Sequence, residues 1–136
     1  MPSQQPATPT LIAIRAAHHP EMTPKYDRVV FEFNGPVPFL RIEYVQKLIA
    51  DGSGAPVSVT GRAILSVQLT PARAHGDRGQ ITAPKNLKLR LPIVKEIVSA
   101  GDFEAVVTYG IGLARKAETR ILTMANASRV VIDFLL

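Results

Sequence analysis

Five side chains in two segments have the types that metal or acid–base chemistry needs: His18, His19, Glu21, His75 and Asp77. Two histidines and a carboxylate can hold zinc and leave one coordination position open. However, adjacent residues in a strand point to opposite faces, so His18 and His19 rarely reach one metal ion together. The spacing therefore favours no metal site. A metal-assisted hydrolase using His18, His75 and Asp77 remains as one alternative.

The candidate nucleophiles give a weak case for catalysis. The chain has no cysteine, which excludes a disulfide framework, a thiolate zinc site and a cysteine nucleophile. A serine nucleophile needs a histidine and an acid beside it, and no Gly-x-Ser-x-Gly motif is present. Gly52-Ser53-Gly54 is more typical of a turn. We therefore expect no catalytic residue, no cofactor and a role other than catalysis.

Basic residues carry the strongest functional signal. The net charge is +5, which favours acidic partners. The densest basic run holds Lys85, Lys88, Arg90 and Lys95, and Arg62 would extend it across one sheet. A site for nucleic acid usually adds aromatic side chains for stacking, and none interleave with this run. The run predicts either a solvated face or contact with an acidic polymer, and no nucleic acid.

Gly110 and Gly112 lie inside an alternating strand pattern, so they lack the helix start that a dinucleotide site requires. Such glycines usually mark a bulge or a close approach of backbone. If they leave the backbone bare at the surface, a ligand or partner can lie there. The predicted binding residues are Arg62, His75, Lys85, Lys88, Arg90, Gly110 and Gly112.

Alternation of apolar and polar residues predicts about eight short strands to position these side chains. The longest pattern, 57–70, predicts one strand bent at Gly61, whereas 45–50 and 93–98 each fit a strand or a short helix. Gly101-Asp102 predicts a turn. The strands are expected at 11–16, 27–34, 39–45, 57–70, 87–91, 103–113, 120–124 and 129–135.

These strands have one polar and one apolar face, which is typical of antiparallel sheets packed against each other. No βαβ rhythm is present, so a parallel α/β fold is not expected. The sequence predicts an all-β antiparallel sandwich with at most one short helix. The long polar segment 71–86 between two strands is expected to be functional or disordered.

Two segments share one pattern of Arg, Val, Val, apolar, acid, Phe. They are 27–33 and 128–134. In each, a basic and an acidic residue four apart share one strand face, so they can pair with each other or with a neighbouring strand. The echo is explained either by chance or by a pseudo-symmetric sandwich whose halves carry equivalent strands.

Residues 120–134 resemble the closing strand pair of AMIN domains, and the order of segments 11–15, 27–33 and 39–45 resembles their front. The chain resembles the AMIN-like family of exported bacterial lipoproteins and related proteins more closely. Segment 101–113 is the most specific part of that resemblance, which spans nearly all of 11–134. The supporting segments are 26–33, 52–54 and 71–75.

The resemblance implies a β-sandwich. For AMIN domains it further implies the cell envelope as location and peptidoglycan as the usual candidate ligand. The expected function is therefore non-catalytic binding or scaffolding, with peptidoglycan or another acidic wall polymer as ligand. A protein–protein module that uses an exposed sheet edge, with another envelope protein as partner, is the second reading.

The ends of the chain divide it into a tether and a domain. Residues 1–10 are rich in Pro, Ser, Thr and Gln, which predicts a flexible tether, and 11–136 form the AMIN-like domain. No stretch approaches the ~20 apolar residues of a membrane span. The start has neither a basic nor an apolar leader region. An envelope location thus requires a removed leader, and a native Met1 start implies the cytoplasm.

Overall fold

Eleven β-strands and one short 3₁₀-helix form the part of the chain described by the computed structural model, residues 8–136. Residues 1–7, most of the predicted tether, lie outside the described residues. The elements are β1 (Thr10–His19), β2 (Tyr26–Asn34), β3 (Phe39–Val45), β4 (Leu48–Ile49), β5 (Pro56–Val57), β6 (Ala63–Thr70), β7 (Asn86–Lys88), β8 (Val94–Phe103), β9 (Val106–Leu113), β10 (Thr119–Met124), the 3₁₀-helix (Ala125–Ala127) and β11 (Arg129–Leu135).

The strands form two main antiparallel sheets and one small pair. The four-stranded sheet has the order β1-β2-β11-β10, and the five-stranded sheet has the order β3-β6-β9-β8-β7. Strands β4 and β5 pair with each other. The predicted all-β antiparallel sandwich is confirmed, and the ten-residue strand β8 and the two-residue strand β4 are the additions to the predicted set.

The core lies between the two sheets. The side chains that alternate inward from β2 and β11, such as Phe31 and Ile132, are fully buried. They face equally buried side chains of the five-stranded sheet, such as Val67 and Ile111. Burial of a large apolar side chain stabilises the fold by roughly 1.5–3 kcal/mol. The inward positions therefore fix the register of every long strand.

Two local predictions are wrong. The pattern 57–70 is not one strand, because β5 ends at Val57 and β6 begins at Ala63. The predicted turn at Gly101-Asp102 lies inside β8, and the chain reverses at Glu104 and Ala105, both with positive φ. The ambiguous segment 93–98 is mostly strand, because β8 begins at Val94 and pairs with β7 and β9.

The two echoing segments are neighbouring strands of the four-stranded sheet, and each of them pairs with an edge strand on its other side. β2 and β11 pair antiparallel, with Arg28 opposite Asp133 and Glu32 opposite Arg129. The antiparallel direction places the basic residue of each copy against the acidic residue of the other. The Nε and Nη2 atoms of Arg28 donate to the Asp133 carboxylate at 2.7 and 3.0 Å. The echo therefore encodes a reciprocal pair of cross-strand contacts.

Residues 46–62, which we call the arm, lie across the outer face of β8 and β9. The Asp51 carboxylate accepts a hydrogen bond from Thr108 Oγ1 at 2.6 Å, and the Asp51 amide donates to Ala100 O at 2.8 Å. Small residues on β9 make room for the arm: a Cβ at Gly110 would meet Leu48, and one at Gly112 would meet Thr60 O. These two glycines are buried beneath the arm and do not bare backbone to a ligand.

Candidate functional site

Four strands of the five-stranded sheet end together at one end of the sandwich. Val45 of β3 lies opposite Ile64 of β6, and Leu113 of β9 lies opposite both Ala63 of β6 and Val94 of β8. The connections that leave or enter these strands must therefore meet there. They are residues 46–47, 58–62, 89–93 and 114–118.

These connections and the first residues of β8 bring together cations that are distant in the sequence, and we call this surface the basic end. Only Lys95 among them is partly buried, and its Nζ donates to Leu91 O at 2.6 Å. Among the described residues, none of these cations forms an ion pair with a carboxylate. The basic end comprises Lys47, Arg62, Arg90, Lys95, Arg115 and Lys116.

The other group of cations, the arginines beside the four-stranded sheet, is half neutralised, because four arginines share two internal carboxylates. Arg15 and Arg129 bind Glu32, whereas Arg28 and Arg120 bind Asp133. A paired guanidinium attracts a further anion less than a free one does. The unpaired positive charge of the molecule is therefore richest at the basic end.

An open cavity of about 480 Å³ lies at this end. Its donors are the Arg62 guanidinium, the Lys116 ammonium and the Gln46 amide, and the Tyr44 ring forms an aromatic wall. Among the described residues, no carboxylate lines this cavity. Two cations with an amide and an aromatic side chain can bind a carboxylate or phosphate and pack against the sugar or peptide that carries it.

Local backbone contacts fix the position of Arg62. Gly61 has φ of +139°, a conformation that side-chain-bearing residues rarely adopt, and a Cβ there would lie 2.7 Å from both the N and O atoms of Leu113. The Arg62 amide then donates to Leu113 O at 2.8 Å. The chain crosses the end of β9 at close range, and this crossing holds Arg62 at the cavity.

The opposite wall is held by Tyr44. Its hydroxyl donates to Ala117 O at 2.7 Å and accepts from the Ala117 amide at 2.9 Å. These bonds tie the connection 114–118 to β3 and leave the neighbouring Lys116 Nζ 5.6 Å from the centre of the Tyr44 ring. A cation at that distance from an aromatic face is attracted to it. Tyr44 thus positions Lys116 while remaining part of the cavity wall.

Glu96 anchors the arm beside the same end. One of its oxygens accepts from the Thr60 amide at 2.7 Å, and the other accepts from Asn86 Nδ2 at 2.7 Å. Burial opposes ionisation, but these hydrogen bonds and the charge of Lys88 outweigh it and hold the pKa of Glu96 below its usual value. Both oxygens of Glu96 are therefore engaged by neutral donors inside the fold.

The structure divides the predicted binding residues into separate places. Arg62 and Arg90 lie at the basic end, and Lys88 lies two residues from Arg90 on the edge strand β7. His75 and Lys85 instead line a second open cavity of about 590 Å³ formed by the segment 74–85, the arm and β8. The sequence does not predict Gln46, Tyr44 and Lys116 as site residues, because no local pattern shows that β3 and the 114–118 connection lie side by side.

Segment 71–86, which contains His75, has its own backbone hydrogen bonds. Ala72 and Ala74 are buried, and the Arg73 amide donates to Pro9 O at 3.0 Å. His75 Nδ1 lies 2.7 Å from Asp102 Oδ2, and the Ala74 amide donates to the other oxygen of Asp102 at 3.1 Å. The segment is therefore docked onto β8 through one carboxylate.

The residues of the alternative metal site are not gathered. His18 pairs with Asp27 at 2.7 Å, His75 pairs with Asp102, and Asp77 pairs with Arg73 at 2.8 Å. Within residues 8–136, no three His, Cys, Asp or Glu side chains lie close enough together to hold a metal ion. The structure thus gives each of these side chains a separate partner.

The fold and the site define a small antiparallel β-sandwich with a cationic cavity at one end of its larger sheet. In the described part of the chain, no helix has the length and hydropathy to cross a membrane. A model of the AMIN-like domain matches residues 9–135, and the chain belongs to the AMIN-like domain family. No curated protein and no solved structure gave a significant match.

Proposed function

We propose that this chain is a non-catalytic binding domain of the bacterial cell envelope and that it binds peptidoglycan or another acidic wall polymer. Its family and the resemblance of its closing strands to AMIN domains support the envelope location. The observation that carries the proposal is the cationic cavity, where Arg62 and Lys116 meet without a carboxylate among the lining residues.

The chemistry of the ligand follows from the chemistry of the cavity. Wall polymers repeat carboxylates or phosphates on a chain of sugars or peptides. Arg62 and Lys116 would bind one such anion, and the remaining cations of the basic end would attract neighbouring repeats. Salt weakens such contacts because exposed charges are screened. The affinity of such binding is the sum of many weak contacts, so a deep pocket is not required.

The proposal is tested by co-sedimentation with isolated cell-wall sacculi. The test variant is the double substitution Arg62→Ala and Lys116→Ala. The control, Arg41→Ala with Arg78→Ala, removes two other exposed cations that form no ion pair in the described range. We expect the first pair to weaken binding roughly tenfold or more, since hydrogen bonds to charged groups are worth about 1.5–3 kcal/mol each. The control should bind nearly as the wild type does.

Two outcomes contradict the proposal in different ways. If the wild-type domain does not sediment with sacculi at low salt, wall binding is wrong. If it sediments but both double variants bind equally, the domain is a wall binder and the cavity at the basic end is not its site.

A further inference from the structure

The four edge strands of the two sheets differ in how they are protected against pairing with another chain. Natural edges are usually short, covered, bulged or charged, because an exposed row of backbone N–H and C=O groups recruits other strands. Three edges of this molecule carry such a device, and β10 does not.

The protected edges are easily recognised. β1 has a register shift between Leu11 and Ala13, and its start is covered by the segment that contains Arg73, whose carbonyl accepts from the Leu11 amide at 2.7 Å. β3 carries the exposed charges Arg41 and Glu43. β7 is three residues long and carries Lys88.

Strand β10 lacks these features apart from one arginine that is bound internally. It pairs with β11 over six residues without a register shift, and it contains no proline, lysine or glycine. Five of its six residues are exposed, including Ile121 at 42% on one face and Leu122 at 43% on the other. Its single charge, Arg120, is bound to Asp133 through Nε at 3.1 Å and Nη2 at 2.8 Å.

An apolar cleft of about 470 Å³ lies under this edge, between β10 and the start of β3. Ile121 and Thr123 line it from β10, and Phe39 and Leu40 line it from β3. Phe39 is 83% exposed, the highest value among the large apolar side chains of the described residues. A strand added beside β10 would place its own inward side chains next to this cleft.

We propose that β10 is a self-association edge, at which two copies of this chain pair antiparallel and join their four-stranded sheets into one sheet of eight. The side-chain pattern of β10 selects a second copy as the occupant. Its one charge, Arg120, shares the Asp133 carboxylate with Arg28, and its other exposed side chains are uncharged. A strand of the same kind places apolar side chains against Ile121 and Leu122, whereas a highly charged strand would lose hydration there without gaining a partner.

The register supports this pairing. In an antiparallel pair of identical strands, a two-fold axis relates the two copies, and opposed side chains must lie on the same face of the sheet. This condition leaves two central registers, with the axis at Ile121 in the first and at Leu122 in the second. Arg120 opposes Leu122 of the second copy in the first register and Met124 in the second. In neither register does Arg120 oppose Arg120 of the second copy, so no like charges lie directly opposite each other.

Sedimentation velocity over a concentration series up to about 1 mM, the weak limit of specific association, tests the proposal. The wild type is expected to shift from the chain mass of 14.8 kDa towards twice that value. Leu122→Lys places lysine against Arg120 in one register and against itself in the other, and should weaken dimerisation roughly tenfold or more. Ile12→Lys, at a side chain 45% exposed on the opposite edge, should dimerise like the wild type.

Because the chain has no cysteine, single-cysteine variants report the register directly. Opposed residues of an antiparallel pair have Cα atoms about 4.5–5.5 Å apart, within disulfide range. Either Ile121→Cys or Leu122→Cys should oxidise to a covalent dimer, and Ile12→Cys should not.

A wild type that stays monomeric, a Leu122→Lys variant that dimerises normally, or a dimer that neither cysteine captures would each overturn the proposal. A monomer would leave this edge to a strand of a different protein.

Discussion

Asp27 is a fully buried carboxylate on β2, and its hydrogen bonds join the four-stranded sheet to the start of β8 in the five-stranded sheet. One of its oxygens accepts from the amides of Ile93 and Val94 at 2.7 and 2.9 Å, and the other lies 2.7 Å from His18 Nδ1. The amides belong to the entry of β8, which would otherwise carry buried donors without acceptors. Asp27 therefore satisfies backbone groups that no strand partner reaches.

Replacing Asp27 with Ala should lower the free energy of unfolding by about 3 kcal/mol, because each unsatisfied buried donor costs about 1–3 kcal/mol. Chemical denaturation measures the loss. Asp77→Ala is the matched control, since its side chain is 88% exposed, and the change should stay within about 0.5 kcal/mol. Equal losses in the two variants would contradict the assigned role of Asp27.

Asp133 makes the fold sensitive to acid. Burial opposes its ionisation, but hydrogen bonds from Arg28 and Arg120 outweigh burial and hold the pKa of Asp133 below the ordinary value of 3.8. A carboxyl whose pKa is lower when folded contributes stability above the unfolded-state value, and that stability is lost as pH falls through the folded-state value.

The substitution Asp133→Asn should therefore destabilise the protein by about 2 kcal/mol at pH 7, because it weakens two partly buried ion pairs. The difference from the wild type should shrink as the pH falls below 3.8. Denaturation curves at pH 7, 5, 4 and 3 would measure this difference, to be compared within each pH. A difference that stays constant over this range would show that the ionised state of Asp133 is not the stabilising one.

The arm explains why the alternating pattern of residues 57–70 wrongly predicts a single strand. Val57 and Val59 continue the alternation of β6, but residues 58–62 belong to none of the strands of the described molecule. Val59 instead faces β9, where its Cγ1 atom would lie 2.6 Å from a Cβ added at Gly112. Alternation records which side chains face the protein, and it does not record backbone pairing.

The substitution Gly112→Ala should lift the arm from β9, because the new Cβ would overlap Thr60 O. Overpacking of this kind costs about 2 kcal/mol. Hydrogen exchange should accelerate at the Thr60 amide, which donates to Glu96. Gly52→Ala is the control, since nothing lies within 4 Å of a Cβ there. Unchanged exchange at Thr60 in Gly112→Ala would contradict the close packing of the arm.

At the scale of the whole molecule, the sequence predicts the class of fold and most strands, since strands such as β2 and β6 alternate with one buried face. The reciprocal pairing of β2 with β11 joins residues about a hundred positions apart, as Arg28 and Asp133 show, and only the echo hinted at it. The candidate site was only partly predictable. Arg62 stands out as a basic residue, but its neighbours Tyr44 and Lys116 come from strands and connections whose meeting depends on the sheet order.

The same sheet order explains why the cations without carboxylate partners are concentrated at one end of the molecule. The arginines of the four-stranded sheet are paired across strands, whereas the cations of the basic end sit on connections that bring no carboxylate into the cavity. Part of the net charge of +5 is therefore concentrated at the basic end, where we propose that an acidic wall polymer binds.

The most direct measurement is the affinity of the wild-type domain for sacculi at low and at high salt, beside the Arg62→Ala, Lys116→Ala double variant. We expect that binding by the wild type weakens steeply as salt rises, and that the salt dependence of the variant is shallower because two of its charges are gone. Binding that is absent at low salt, or equally salt-dependent in both proteins, would contradict this proposal.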